Sequence, residues 1–200
     1  MRMKAQALWS QIYGSDTKNT ITAVQTLRNA LMTGTFLAST AALLATQVFG
    51  ALLDPPKLGR VQQLGEQDVI TGGTSLFSAT AKLSIIIACL LVAFFWFTQA
   101  VRLYSHMGFL VGMLASPLNT QHAHVTSVEE LVALSDKAAI CFSLGIRTFV
   151  FFGPLILWVL GPTMMLIATL CLTAGMVWAD RLPTGTRLVV PGERAQDLER

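Results

Sequence analysis

The sequence predicts an all-α integral membrane protein with three transmembrane helices, the third kinked at Gly-Pro, preceded by an amphipathic N-terminal helix. Three observations carry this. The 200 residues are 53% hydrophobic and only 12% charged, with a mean hydropathy of +0.59, whereas soluble domains carry about 25% charged residues. Three charge-free runs, 29–53, 83–101 and 148–179, approach or exceed the roughly 20 residues that cover a hydrocarbon core. In lipid the backbone must satisfy its own hydrogen bonds, which makes each run helical.

The chain opens with MRMKAQALWSQIY, in which Ala5, Leu8, Trp9 and Ile12 fall on one helical face. Arg2, Lys4, Gln6 and Gln11 fall mostly elsewhere, so residues 1–15 read as an interfacial amphipathic helix. The same basic stretch, without an acid before Asp16, also fits a mitochondrial targeting peptide. A retained helix is the expectation. The membrane domain then covers 16–182, and 183–200 is a polar C-terminal tail that would be disordered alone.

The first span, about 29–53, opens on a polar cluster of Gln25, Arg28 and Asn29. Gln25 and Asn29 lie four apart and share a face, which Thr33 continues. Arg28 stands at the apolar boundary, where its stem can lie along the span while its head reaches the headgroups. One reading of the cluster is an interface anchor with inter-helical hydrogen bonds. The sharper one is a polar site that lines a cavity or grips a partner. Beyond it, Gly34, Ala38, Ala42 and Thr46 recur every four residues. Small residues at that spacing let helices approach closely, so this face is expected to pack against another helix, internal or of another subunit.

The segment 53–81, with DPPKLGRVQQLGEQDVITGGTS, is rich in Gly, Pro, Asp and Gln and reads as an exposed loop. The second span, 83–101, keeps its helical pattern past Arg102 to about residue 116, where Pro117 stops it. Ser127-Val-Glu-Glu130 then has capping-box spacing. It starts a helix whose Leu131, Leu134, Ala138 and Cys141 share a face and which feeds into the third span. That last run, 148–179, is long for one straight span and contains Gly153-Pro154 and Gly161-Pro162. It reads as one broken, tilted crossing. The competing topology is a hairpin at Gly161-Pro162 with its first arm starting near Ala138. This would put Arg147 inside the membrane, where an arginine is costly and usually has a partner. Three spans divide the basic residues seven against seven, so charge leaves orientation open.

Candidate chemistry is sparse. Cys89, Cys141 and Cys171 lack the paired spacing of a disulfide framework or zinc site. His122 and His124, with Glu129 and Glu130 nearby, have the residue types of a metal site, but the plainer reading is exposed loop histidines. No phosphate loop, G-x-S-x-G or H-E-x-x-H occurs, and no carboxylate falls in the three runs. No inverted repeat is visible. No catalytic residue, metal or cofactor is therefore expected, and the protein reads as a non-enzyme. A net charge of +3 without a basic cluster speaks against nucleic acid as a partner. Tyr104 and Trp178 sit near span ends as interface anchors; Trp96 and Trp158, deeper, pack on a neighbour, lipid or pigment.

Three stretches resemble a known family: AVQTLRN at 23–29, LYSHMGFLVGML at 103–114 and GIRTFVFFGPLILWVLGP at 145–162. They are similar to domain of unknown function 599, uncharacterised membrane proteins of plants, algae and bacteria. The likeness runs from about Lys18 to about Asp180. It implies that the N-terminal segment and the second loop lie on the inner side. Plant members usually begin with an additional transmembrane helix, in whose place this chain has the amphipathic start. The resemblance thus implies an open face that a partner protein fills. It brings no established activity or ligand, and makes a mitochondrial or plastid inner membrane the expected location. The functional expectation is a non-catalytic structural or accessory subunit, partnered by the bilayer and by other subunits of a membrane complex. The alternatives are a small channel or carrier with Gln25, Arg28 and Asn29 at its mouth, or a protein binding lipid, quinone or pigment between its spans.

Overall fold

A computed structural model describes residues 17–65, 77–114 and 128–181. Among these there are five helices and no strand: α1 (Thr17–Leu53), α2 (Pro55–Gly65), α3 (Ala79–Leu114), α4 (Val128–Leu157) and α5 (Pro162–Arg181). The expected helix over 1–15, the cap at Ser127, the His122/His124 pair and the tail over 183–200 lie outside the described residues.

Helix α3 is the centre of the bundle. α1 packs along one side of it and α4 along another, α5 packs on α4, and the short α2 touches α1 and α3. The core falls into three clusters stacked along the bundle. At one end Leu27 meets Met107, Leu110, Val111 and Leu131. In the middle Ala38 meets Ala93 and Phe97, with Phe142 and Phe149 against them. At the other end Ala45 meets Leu83, Ile86 and Leu90, joined by Phe152, Leu155 and Val159. These pairings run α1 and α4 antiparallel to α3.

Local chemistry sets the helix ends. Asp54 separates α1 from α2; its carbonyl accepts from Leu58 N–H at 2.9 Å and its carboxylate pairs with Lys57 at 3.0 Å. Pro55, at the first position of α2, lacks the N–H that a helix start leaves unsatisfied anyway. This corrects the first part of the loop expected over 53–81, because Asp-Pro-Pro starts a helix over Pro55–Gly65, while 66–76 lie outside the described residues. Leu58 and Val61 then lean, half-buried, on the Leu83 cluster. Ser78 caps α3 by accepting the Ala81 N–H on its side-chain oxygen at 3.3 Å.

The run 148–179 also departs from expectation. It does not form one kinked span but divides between two helices. α4 continues through Pro154, and Trp158 N–H still reaches the Pro154 carbonyl at 3.0 Å. The chain then tightens into i→i−3 bonds: Val159 to Ile156 at 3.0 Å, Leu160 to Leu157 at 3.1 Å and Gly161 to Trp158 at 3.2 Å. Gly161 has φ 152°, a backbone region that side-chain-bearing residues rarely adopt. Pro162 opens α5 on the far side. Among the described residues four helices are therefore long and apolar enough to cross a membrane: Val24–Leu53, Ala79–Gly112, Glu130–Leu157 and Pro162–Ala179. The expected count of three is corrected to four, the hairpin being the topology observed. Gly161→Ala is expected to cost about 1–3 kcal/mol, the usual size of such backbone strain, read as a lower melting temperature of the detergent-solubilised full chain.

Candidate functional site: a helix-packing core with polar ends

The face of α1 that meets α3 is built from small residues, in a register set by helix geometry. A four-residue step overshoots a turn of 3.6 residues by about 40°, so a series taken every four residues walks around the helix. Gly34 and Ala38 are accordingly buried, Ala42 is half-buried and Thr46 is exposed, its hydroxyl donating to the Ala42 carbonyl at 2.9 Å. The buried seam steps by seven, four, three and four residues, through Leu27, Gly34, Ala38, Ala41 and Ala45. That is the spacing that keeps a straight stripe facing a partner helix. Ala41 and Ala45 were absent from the sequence-derived stripe; alternating the step length would have found them.

Two glycines hold the helices close. A Cβ on Gly34 would lie 2.8 Å from Val101 Cγ2 of α3. On α4, a Cβ on Gly145 would lie 2.8 Å from both Cδ1 and Cε1 of Phe97. Phe97 is fully buried and meets Phe142 and Phe149 edge-on, with ring centroids 6.0 and 6.2 Å away. Aromatic rings favour this arrangement because a positive edge meets a negative face. Mid-depth between α1, α3 and α4 is thus filled by one ring and the small residues around it.

The polar cluster lies elsewhere. Gln25, Arg28 and Asn29 are all exposed, while Leu27 between them turns inward onto the Met107 cluster. The Asn29 carbonyl accepts from the Thr33 hydroxyl at 2.9 Å. The structure brings the three together on the outside of α1, near one end of the bundle. At the same end α3 carries an open cavity of about 430 Å³, lined by Arg102, Leu103, Ser105, His106 and Phe109. Its polar residues recur on one flank of α3 just past the apolar run, a signal readable in the sequence.

Two cations also differ from what the sequence implied. Lys82, which marked only the edge of a span, is 1% exposed and engaged at the start of α3. Arg147 lies within α4 rather than at its edge. The thiols are free: Cys89 Sγ donates to the Thr148 carbonyl at 3.4 Å, Cys141 is half-buried and Cys171 is exposed. Among the described residues no three His, Cys, Asp or Glu side chains gather where they could hold a metal ion. Chemically, the three described core clusters are apolar packing surfaces, and Arg147 is exposed on α4.

No curated protein and no solved structure matches the chain. The family model for "Protein of unknown function, DUF599" does match, over residues 2–184. That span takes in α1 through α5, with both the small-residue seam and the α4–α5 turn. The chain belongs to the DUF599 family.

Proposed function

We propose that the protein is a non-catalytic structural or accessory subunit of a larger membrane assembly. Its helices sit in the bilayer and its outer faces meet other membrane proteins. The observation that supports this best is the filled mid-depth: Phe97 occupies the space between Ala38, Ala93 and Gly145. A carrier needs a chamber near that depth, whereas a packing subunit needs a rigid bundle with apolar outer faces. α5 fits the latter, with Leu166, Ile167, Leu170, Val177 and Trp178 exposed. The finer location, a mitochondrial or plastid inner membrane, rests on the family resemblance, and fractionation with organelle markers tests it.

The test of the assembly is crosslinking mass spectrometry on native membranes at endogenous expression. Links from Lys57 and Lys137 to a reproducible set of other membrane subunits are the expected result. Self-links alone, together with migration as a single chain on native gels, would overturn the reading and turn attention to transport.

A further inference from the structure

We infer that the outward flank of α3 binds an anionic phospholipid, its phosphate held by Arg102 and His106 and its acyl chains laid along Leu91 and Phe95. This site requires that the bundle sit in a bilayer, not that it have protein partners.

The level of the site comes first. Two close approaches align the helices: Gly34 abuts Val101, and Gly145 abuts Phe97. Because α1 and α4 run antiparallel to α3, counting outward from those contacts sets the other residues. Arg28 is six residues from Gly34, and Met107 is six from Val101; Leu27, beside Arg28, does pack in the Met107 cluster. Lys137 is eight residues from Gly145, and Ser105 is eight from Phe97. Arg28, Arg102, His106 and Lys137 are all exposed, and at about 1.5 Å per residue they fall within about 8 Å of one another along the bundle axis. From this belt the charge-free run 83–101 extends about 28 Å along α3, close to the roughly 30 Å of a hydrocarbon core. The belt stands at the height of lipid phosphates, and its charge attracts anionic headgroups.

The shape of the site comes second. At about 100° per residue, Ala93, Phe97, Ala100, Met107 and Val111 share the buried side of α3. Leu91, Phe95, Arg102, His106 and Phe109 share the opposite side, and all five are exposed. Their steps of four, seven, four and three residues keep a straight strip along the helix. The polar end of the strip borders the cavity of about 430 Å³, a size typical of small-ligand clefts. Arg102 and His106 are four residues apart, so their Cβ atoms are about 5–6 Å apart. One phosphate can then take N–H groups from both, in forked pairs from the guanidinium and singly from the imidazole. The Ser105 hydroxyl beside them donates to the Val101 carbonyl at 2.9 Å, which leaves Arg102 and His106 as the donors.

The apolar end of the strip decides the source of the phosphate. Leu91 and Phe95 lie inside the charge-free run, on the hydrocarbon side of Arg102. A soluble phosphate ester has nothing to place on them, whereas a phospholipid carries its acyl chains in that direction. The Arg102 stem can lie along the same strip while its head meets the phosphate.

The test is native mass spectrometry of the full chain released from detergent micelles with added phosphatidylglycerol or phosphatidylcholine. One phosphatidylglycerol is expected to stay bound, with phosphatidylcholine retained at least fivefold less. Arg102→Gln and, separately, His106→Gln should each lower phosphatidylglycerol retention at least fivefold, while Arg102→Lys keeps most of it. Arg60→Gln removes the same charge from α2, at the far end of the bundle, and should leave retention unchanged. Gel filtration in detergent checks each variant; if one does not fold, the other carries the test. Equal retention of the two lipids, an equal loss in Arg60→Gln, or no loss in the α3 variants would overturn the inference. Glycerol 3-phosphate is the second arm. Displacement of the lipid by an equal concentration of it would make this a site for soluble phosphates and overturn the lipid assignment. Specific lipid retention without crosslinks to other subunits would leave this site standing and sink the subunit reading alone.

Discussion

Gly145→Leu is expected to destabilise the bundle by about 3 kcal/mol, the upper end for overpacking a filled core. Even the first added carbon would lie 2.8 Å from two atoms of the Phe97 ring, and that ring is fully buried with Phe142 and Phe149 on its edges. Neither helix can yield cheaply: α3 is also held by α1 through Ala38 and Ala93. For a chain of this length such a loss corresponds to a fall of roughly 6–12 °C in melting temperature, measurable by fluorescence or gel filtration after heating in detergent. Gly145→Ala should show a smaller drop of the same sign. Contrast Gly153 on the same helix, where a Cβ meets nothing within 4 Å. Gly153→Ala should leave stability unchanged or raise it, since alanine is the better helix former by about 1 kcal/mol.

Phe97→Ala attacks the same contact from the other side, with an expected loss of about 2–3 kcal/mol. In a water-soluble core the change costs about 3–5 kcal/mol, part from transfer of the ring and part from the cavity left behind. In lipid the transfer part fades, because the surrounding tails are as apolar as the side chain. The packing part remains, since Ala38, Ala93 and the two phenylalanines lose the ring between them. The two sites are in contact, so their effects should not add. Gly145→Ala combined with Phe97→Leu should be more stable than the sum of the single losses. Strict additivity in the melting data would mean that the Phe97–Gly145 contact does not form as described.

Much of the bundle was readable from where charges stop. The charge-free runs marked α1 and α3, Pro117 marked the end of α3 to within a few residues, and the cluster after Ser127 led into α4. What escaped depends on surroundings rather than on local composition. Gly-Pro occurs twice in ten residues with opposite results: α4 runs through Gly153-Pro154 and ends before Gly161-Pro162. The second site differs in that Trp158 beside it is buried and meets Phe77 edge-on at 5.3 Å. A ring anchored by a distant residue pins the reversal, and no local pattern reports that. The seam on α1 was half-legible: Gly34 and Ala38 belong to it, but an unvarying step of four drifts off the contact by Thr46. Gln25, Arg28 and Asn29 were visible as a cluster, though not that all three face outward. Arg147 was visible as a residue, and its place inside α4 followed only from the turn.

That turn also bears on parity. An odd number of crossings leaves the two ends of a chain in different compartments; an even number returns them to the same one. If each of the four apolar helices of the described residues crosses once and no other segment does, the sequence positions Arg2, Lys4, Lys18 and Arg28 fall on one side with Arg102, Lys137, Arg181, Arg187, Arg194 and Arg200, and Lys57, Arg60 and Lys82 on the other. The even division of the three-span arrangement would become ten against three, and the basic-rich side is the one that stays uncrossed during insertion. Reporters fused to the two ends should therefore light up in one compartment, the cytosol or its organellar equivalent, while a tag placed after Lys57 should answer from across the membrane.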